Sequence, residues 1–435
     1  MDQTRNILYF VAIAALIIIT GMVQSWNSAL LILNMGLISA VMALGVNLQW
    51  GFAGLFNVGV MGFVALGGLA AVLVSTDPVS EAWSAGGLRI LFALAVGAGI
   101  IGVTIIAYRR ITATRPRVIA MVSILGLGFF LYRALLDPAV QAVEAVNPAL
   151  QGNLGGLGLP IILAWPVGGL FAAGAAWIIG KAALGLRSDY LAIATLGISE
   201  IIIAILKNED WLARGVKNVI GLDRPVPKEI DLQESAEFIE RASGLGLDPV
   251  TASALFVKLN YALLFSVVLI ILLVMAQLSL KSPWGRMMRA IRDNETAAAA
   301  MGKNVTNRHL QIFILGSAIC GIAGAMMTTL DGQLTPGSYQ PLRFTFLIWV
   351  MVIVGGSGNN YGAVLGGFLI WFLWVQVEPM SQYLVTLLTA GMDEDNAVRL
   401  HMMESVAYMR LLTMGLVLLL VLNLQEMSKN GRERH

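Results

Sequence analysis

Lys258-Leu-Asn-Tyr-Ala-Leu-Leu-Phe-Ser-Val-Val-Leu-Ile-Ile-Leu-Leu-Val-Met-Ala-Gln-Leu-Ser-Leu280 carries a single charge, on its first residue. A helix rises about 1.5 Å per residue, so this run is long enough to cross the roughly 30 Å hydrocarbon core of a bilayer. On either side of it, comparable runs occupy 7–23, 28–48, 55–75, 88–108, 118–136, 161–184, 190–206, 309–330, 345–354, 362–377 and 406–424. With the first they make twelve candidate spans. The run 345–354 is short and 55–75 follows a glycine-rich break, so re-entrant or broken helices are expected there and the expectation is about 10–12 spans. The run 7–23 is long for a signal peptide and another span follows at once, which predicts a retained first helix.

Composition agrees. The 435 residues are 57% hydrophobic and only 12% charged, and the mean hydropathy is +0.78. A soluble domain carries about 25% charged residues. The expected fold is an all-α polytopic transmembrane helical bundle, a single domain over 1–435 covered largely by lipid. A soluble enzyme is excluded. Cys320 is the lone cysteine, and His309, His401 and His435 are scattered, so neither a disulfide nor a metal site is expected. No nucleic-acid partner is expected either.

Charge placement fixes an expected orientation. With the first residues inside and twelve crossings, the inner connections hold sixteen of the 28 Lys and Arg and six of the 26 Asp and Glu. The positive-inside rule then puts both termini in the cytoplasm. Three connections stand out. Residues 207–257 form an outer loop in which Ile230, Leu232, Phe238 and Ile239 alternate with acidic residues. That pattern reads either as a short amphipathic helix on the membrane or a partner, or as a solvated loop. Residues 378–404 form an acidic outer loop with Asp393, Glu394 and Asp395 in succession. Residues 281–308 face the cytoplasm.

That inner stretch, Ser282-Pro-Trp-Gly-Arg-Met-Met-Arg-Ala-Ile-Arg-Asp-Asn-Glu-Thr-Ala-Ala-Ala-Ala-Met-Gly302, carries the most mechanism. Pro283 and Gly285 break the preceding span. Arg286, Arg289 and Arg292 recur at three-residue spacing on one side of a helix. Residues 296–300 are a threonine and four alanines, good helix formers that let another protein approach closely. Gly302 stops the helix. The pattern predicts a short cytosolic helix pair that docks into a partner's groove; a basic loop that only touches lipid headgroups is the alternative.

The stretch resembles the Glu-Ala-Ala coupling loop of ATP-binding-cassette importer permeases. Thr296-Ala297-Ala298 stands at the triplet with Gly302 in register, and the glutamate, Glu295, falls one place early. In that form it is similar to the R-A-I-R-(E/D)-N-E-x-A-A-x-x-x-G pattern of branched-chain amino acid importers. Leu44-Gly-Val-Asn-Leu-Gln-Trp-Gly-Phe-Ala-Gly-Leu-Phe-Asn-Val-Gly59 resembles the L-G-L-N-L-x-x-G-x-x-G-x-x-x-x-G signature of their LivM-like permeases. Leu186-Arg-Ser-Asp-Tyr-Leu-Ala-Ile-Ala-Thr-Leu-Gly-Ile-Ser-Glu200 resembles L-R-G-D-Y-L-A-I-x-T-L-G-x-x-E, and Val354-Gly-Gly-Ser-Gly-Asn-Asn-Tyr-Gly-Ala-Val-Leu-Gly366 their last glycine-rich loop. Residues 88–148 look like an insertion with two extra spans, and 214–221 lacks the Gly-Gly-Pro of the family.

The resemblance implies a multi-pass permease of the bacterial inner membrane that imports branched-chain or other hydrophobic and neutral amino acids. Urea or short amides are the alternative cargo, and an ion-coupled carrier the alternative class. The implied partners are a second homologous permease, two cytoplasmic ATPase subunits, a periplasmic substrate-binding protein and membrane lipid. The coupling residues it implies are Arg289, Arg292, Asp293, Asn294, Glu295, Ala297, Ala298 and Gly302. No G-x-x-x-x-G-K-[ST] loop occurs, so the chain is expected to bind no cofactor, with ATP and Mg on the partner subunits.

Candidates for the translocation path are Asn47, Asn57, Thr195, Ser199 and Glu200. Asn47 and Asn57 can bond a neighbouring helix or a passing substrate. Glu200 lies about 15 Å along its helix from Tyr190, near the bilayer midplane. An intramembrane carboxylate is costly; Glu200 can line the path, meet a substrate ammonium or a partner permease, or stay protonated on Thr195, Ser199 or another helix. The glycines at 45, 51, 54, 59, 62, 67 and 68 allow either close helix contact or unwinding.

Overall fold

The computed structural model describes residues 3–148, 152–393 and 396–432. In chain order the main helices are α1 (Gln3–Val23), α2 (Trp26–Val46), α3 (Val60–Ser75), α4 (Leu88–Arg110), α5 (Thr114–Glu144), α6 (Ala164–Ala183) and α7 (Ser188–Asn208). They continue with α8 (Pro249–Lys281), α9 (Pro283–Asp293), α10 (Glu295–Ala300), α11 (Val305–Asp331), α12 (Pro341–Gly355), α13 (Asn360–Leu388) and α14 (Met409–Arg432). Among the described residues ten helices are long and apolar enough to cross a membrane, while α3 and α12 are shorter apolar helices. The twelve expected runs thus all appear, as ten full-length segments and two short ones.

The packing has a centre and a satellite. Helices α2, α3 and α11 form the centre, with α6, α8, α12 and α13 around them. In α2, 78% of the apolar window lies inside the protein, against 6% in α5. Small residues make the close approach possible. Gly45 sits against the Gly316 carbonyl and Cys320, Gly67 against Gly321, and Gly324 against the backbone of Val64. Lipid tails are as apolar as leucine, so such backbone proximity, more than apolar burial, draws helices together in a membrane. Cys320 is fully buried there, a packing residue.

The stretch expected to be an insertion is set apart. Helices α4 and α5 pack mainly on each other. Their small core of Ile90, Ala93, Leu136, Ala139 and Val143 meets the rest of the chain through Leu154 and Trp211, at one end of the hairpin.

Four boundaries differ from the sequence reading, each for a local reason. First, α2 ends at Val46, a wide turn covers Asn47–Gly51, and α3 starts at Val60 instead of 55. The break is held open by Gly54, whose φ of +70° suits glycine. Second, α8 begins at Pro249, nine residues before the expected start, because Asp248 caps it by accepting from the Thr251 N–H at 3.3 Å and Pro249 fits a first turn. Third, the amphipathic segment between α7 and α8 is two helices, Glu229–Glu234 and Ala236–Gly244, split at Ser235, whose hydroxyl accepts from the Phe238 N–H. Part of its apolar side lies on the start of α8, while Ile230 stays 66% exposed: Phe238 meets the Phe256 ring at 5.8 Å and Gln233 donates to the Ser253 hydroxyl at 2.9 Å. Fourth, α13 runs on to Leu388, and Ala397–Ser405 is helical, so little of the acidic stretch is loop; Glu394 and Asp395 lie outside the described residues. Glu378 in that extension pairs with Arg410 of α14.

The bundle is not purely helical. Val219–Ile220 and Gln333–Leu334 pair as a two-residue antiparallel ribbon, Val219 facing Leu334. It ties the segment between α7 and α8 to the end of α11.

Candidate coupling and translocation site

Helices α9 and α10 form the expected short helix pair. Asn294 divides them: its side chain accepts from the Ala297 N–H at 2.9 Å and caps α10. The chain turns out of α10 at Gly302, in the left-handed region at φ +74°. Ile291, Ala298 and Val305 pack together beneath the pair, with Met287 partly covered beside them. Thr296, Ala297, Ala299 and Ala300 stay exposed, and Met301 is 79% exposed. A groove of about 460 Å³ runs between the two helices, with Trp284, Met287 and Met301 on its walls. Four of the five residues at 296–300 are therefore free of the chain's own packing, and Ala298 is turned inward.

The three arginines do different work. Arg286 donates to the Lys281 carbonyl at 3.1 Å, and Arg289 to the Leu280 carbonyl at 3.3 Å. Both satisfy carbonyls left over at the C-terminus of α8. Arg292 leaves the helix pair altogether: its Nη1 donates to the Gly51 carbonyl at 2.6 Å. Its Nε and Nη2 donate to Asp293 Oδ1 at 3.1 and 3.0 Å. One guanidinium thus joins α9 to the break in α2, braced by the neighbouring carboxylate. Glu295 and His309 line the small cavity beside this contact, with Gly54 and Leu55 opposite.

The break is a polar knot inside an apolar bundle. Asn47, fully buried, donates to Asn360 Oδ1 at 2.9 Å and accepts from the Gly358 N–H at 2.9 Å. Gln49 donates to the Phe313 carbonyl at 2.9 Å and to the Ser317 hydroxyl at 3.0 Å. Asn57 donates to Gln49 Oε1 and accepts from the Gly59 N–H, both at 2.9 Å. Thr195 accepts from the Val58 N–H at 3.1 Å, and the Trp349 indole donates to the Asn57 carbonyl at 3.1 Å. Unwound backbone at membrane depth must be satisfied by other protein groups, and these side chains do it. Replacing Asn47 by alanine leaves the Gly358 N–H and Asn360 Oδ1 without their partner, a cost of about 1–3 kcal/mol. A fall in the unfolding temperature of the purified protein checks this; an unchanged midpoint would mean water takes over both groups.

Asn47, Asn57 and Thr195 are thus brought together, but as bonded members of this knot. Ser199 lies beside them against Gly62, its hydroxyl buried and without a hydrogen bond. Glu200 is not part of the cluster. It lies exposed on the outward side of α7 with Ile193 and Ile201, and neither Thr195 nor Ser199 bonds it. Sequence reasoning missed Gln49, Ser317, Trp349 and Asn360. Gln49 and Asn360 had a legible signal, as amides inside the glycine-rich segments; Trp349 and Ser317 had none, because their role depends on partners far along the chain.

A family model described as branched-chain amino acid transport system / permease component matches residues 118–422. The high-affinity branched-chain amino acid transport system permease protein LivM of Escherichia coli strain K12 is 29% identical over 276 residues, covering 61% of this chain and 63% of that protein. The chain therefore spans less than two thirds of that relative's length. A probable branched-chain amino acid transport permease protein LivM of Methanocaldococcus jannaschii is 30% identical over 230 residues, 52% of this chain and 58% of that one. A ribose import permease protein RbsC of Haemophilus influenzae is 24% identical over 262 residues, 57% of this chain and 70% of that one. No solved structure matches. Ten membrane-length helices and these relatives make the chain a multi-pass inner-membrane protein, a permease and not itself an enzyme. A helix pair docked on a broken span, inside a match that covers most of the chain, places it in the branched-chain amino acid transport system permease family.

Proposed function

We propose that this chain is one of two permease subunits of an ATP-driven importer for branched-chain or other hydrophobic, neutral amino acids, with both termini cytoplasmic. A second homologous permease completes the membrane part, two ATPase subunits hold ATP and Mg and dock on α9 and α10, and a periplasmic binding protein delivers the substrate. The observation that carries the reading is the Arg292–Gly51 contact. A force on the cytosolic pair is passed at once to a place where a central helix is already unwound. There the chain can bend without rupturing a helical ladder, since its freed backbone groups are held by side chains that can exchange partners.

The test is uptake of radiolabelled leucine by cells lacking their own importers and expressing this chain with its genomic neighbours. Saturable uptake is expected, lost when Arg292, Asp293, Asn294 and Glu295 are all alanine. If leucine is ignored while urea or acetamide enters, the cargo is wrong; if nothing enters on ATP, the importer reading fails.

Glu200 supports the two-permease arrangement. A carboxylate half-way along a lipid-length helix, exposed and with no hydrogen bond or ion pair among the described residues, is costly against acyl chains. A second permease subunit would remove that cost. Glu200→Cys is expected to cross-link to that subunit in the assembled complex, and a cysteine labelled only by lipid-phase reagents would speak against it.

A further inference from the structure

Beside the second half of α2, the centre of the bundle holds a cavity of about 190 Å³. Met35 and Met42 of α2, Met61 of α3, Met327 of α11 and Met351 of α12 line it. Met351 lies about 15 Å along α12 from its first residue, at 1.5 Å per residue, so the cavity reaches deep into the bundle. Its mouth is set by Asp331, the last residue of α11, and by Phe344 at the start of α12.

Three observations say what such a cavity takes. The wall is apolar and built from thioethers, which are flexible and polarizable and adapt to side chains of different branching. Few polar groups reach it. Asp331 is exposed at the mouth and has no ion-pair partner among the described residues, and Ser39 is 3% exposed with no side-chain hydrogen bond among them. A cation stands behind one wall: the Arg343 guanidinium lies 5.7 Å from the ring of Phe344, which lines the cavity, and 5.1 Å from that of Trp374. An apolar interior with one carboxylate on its lining and one guanidinium beside its Phe344 wall matches a zwitterion with an aliphatic tail. Urea or a short amide would leave the methionine wall unused and Asp331 without a cation. The volume lies below the about 300–1,000 Å³ typical of drug-sized ligands, so one small molecule fits and a peptide does not.

We propose that this methionine-walled cavity is a binding site for a single aliphatic α-amino acid, its ammonium on Asp331, its carboxylate toward Arg343 and its side chain among the thioethers. The site lies within one permease chain and rests on the import reading above. It also narrows that reading, since it selects hydrophobic zwitterions over amides.

The experiment uses photo-leucine, a diazirine analogue of leucine, on membranes of cells expressing the chain with its genomic neighbours, with uptake measured in the same cells. Irradiation is expected to place adducts on peptides carrying Met42, Met61 or Met351, and excess unlabelled leucine removes them. Asp331→Asn is expected to weaken labelling and raise the KM of uptake by about tenfold, the scale of one charge-assisted hydrogen bond. Met351→Ala, a milder change of the wall, is expected to improve phenylalanine uptake relative to valine. Uptake of photo-leucine with no adduct in the cavity overturns the site alone. Adducts that leucine does not displace also overturn it, because an acyl chain would behave so. Failure of the unaltered importer to take up leucine or photo-leucine overturns the import reading and this site with it.

Discussion

Arg292→Ala is expected to lower leucine uptake by about ten- to a hundredfold while the protein stays in the membrane at its normal level. The size follows from the hydrogen bond that the substitution removes. A hydrogen bond from a charged donor is worth about 1.5–3 kcal/mol, and each 1.4 kcal/mol is a factor of ten. Here the donor is a guanidinium and the acceptor the Gly51 carbonyl, 241 residues away in sequence. Little else in the fold hangs on Arg292: it is partly exposed, and its remaining bonds run to the adjacent Asp293. Expression should therefore survive, and ATP hydrolysis should continue but drive less transport. Arg292→Lys should rescue only in part, because a single ammonium cannot reach the carbonyl and the carboxylate with the same fixed fork. The readout is the ratio of leucine taken up to ATP hydrolysed. An unchanged ratio in the alanine variant would show that force reaches the spans by another route, with α9 and α10 as a plain docking surface.

Gly324→Val is expected to abolish the folded protein. A side chain at 324 would be driven into the Val64 backbone, carbonyl included, and one at 67 into the Gly321 carbonyl. Neither clash meets the flexible end of a side chain that could swing aside. Overpacking a core costs about 1–3 kcal/mol where neighbours can move, and here the neighbours are helix backbones at the centre of the bundle. Loss of the monodisperse peak in size-exclusion chromatography of the detergent-solubilised protein is the expected result, with Gly67→Val behaving alike. Gly174→Val is the control. It lies exposed on α6 with nothing within 4 Å of a Cβ, so the protein should run as the unaltered one. A normal peak for Gly324→Val would mean that α3 and α11 can separate, and that the close crossing is not what holds the centre together.

Between them these two positions mark what kinds of information the chain carries. Residue 324 belongs to a run whose length and apolarity announce a span; Arg292 belongs to a run whose charges, alanines and stop glycine announce a short helix pair. In both cases the element was legible and its contact was not. The polar residues show the same limit more sharply. Asn47 and Asn57 stood out because an amide in an apolar stretch needs a partner, but the partners Asn360, Gln49 and Gly358 come from elsewhere in space as often as from nearby in sequence. Glu200 stood out for the same reason, and the fold turned it outward, away from the cluster its position suggested.

The order of residues is enough to establish that the chain spans a membrane many times, roughly which stretches do so, which way its basic residues bias it, and that residues 281–308 carry the breaks and stops of a short helix pair. These are local properties: apolar length against a fixed bilayer thickness, and turn and cap residues read within a few positions. The packed bundle was needed to show where α2 breaks and what satisfies its freed backbone, which carbonyl Arg292 grips, and which side of α7 carries Glu200. It also showed that five methionines from four helices share one cavity under Asp331. Each of these depends on helices far apart in sequence meeting at one rotation about their axes. That rotation is set by the summed fit of small residues across the bundle, which no window along the chain contains.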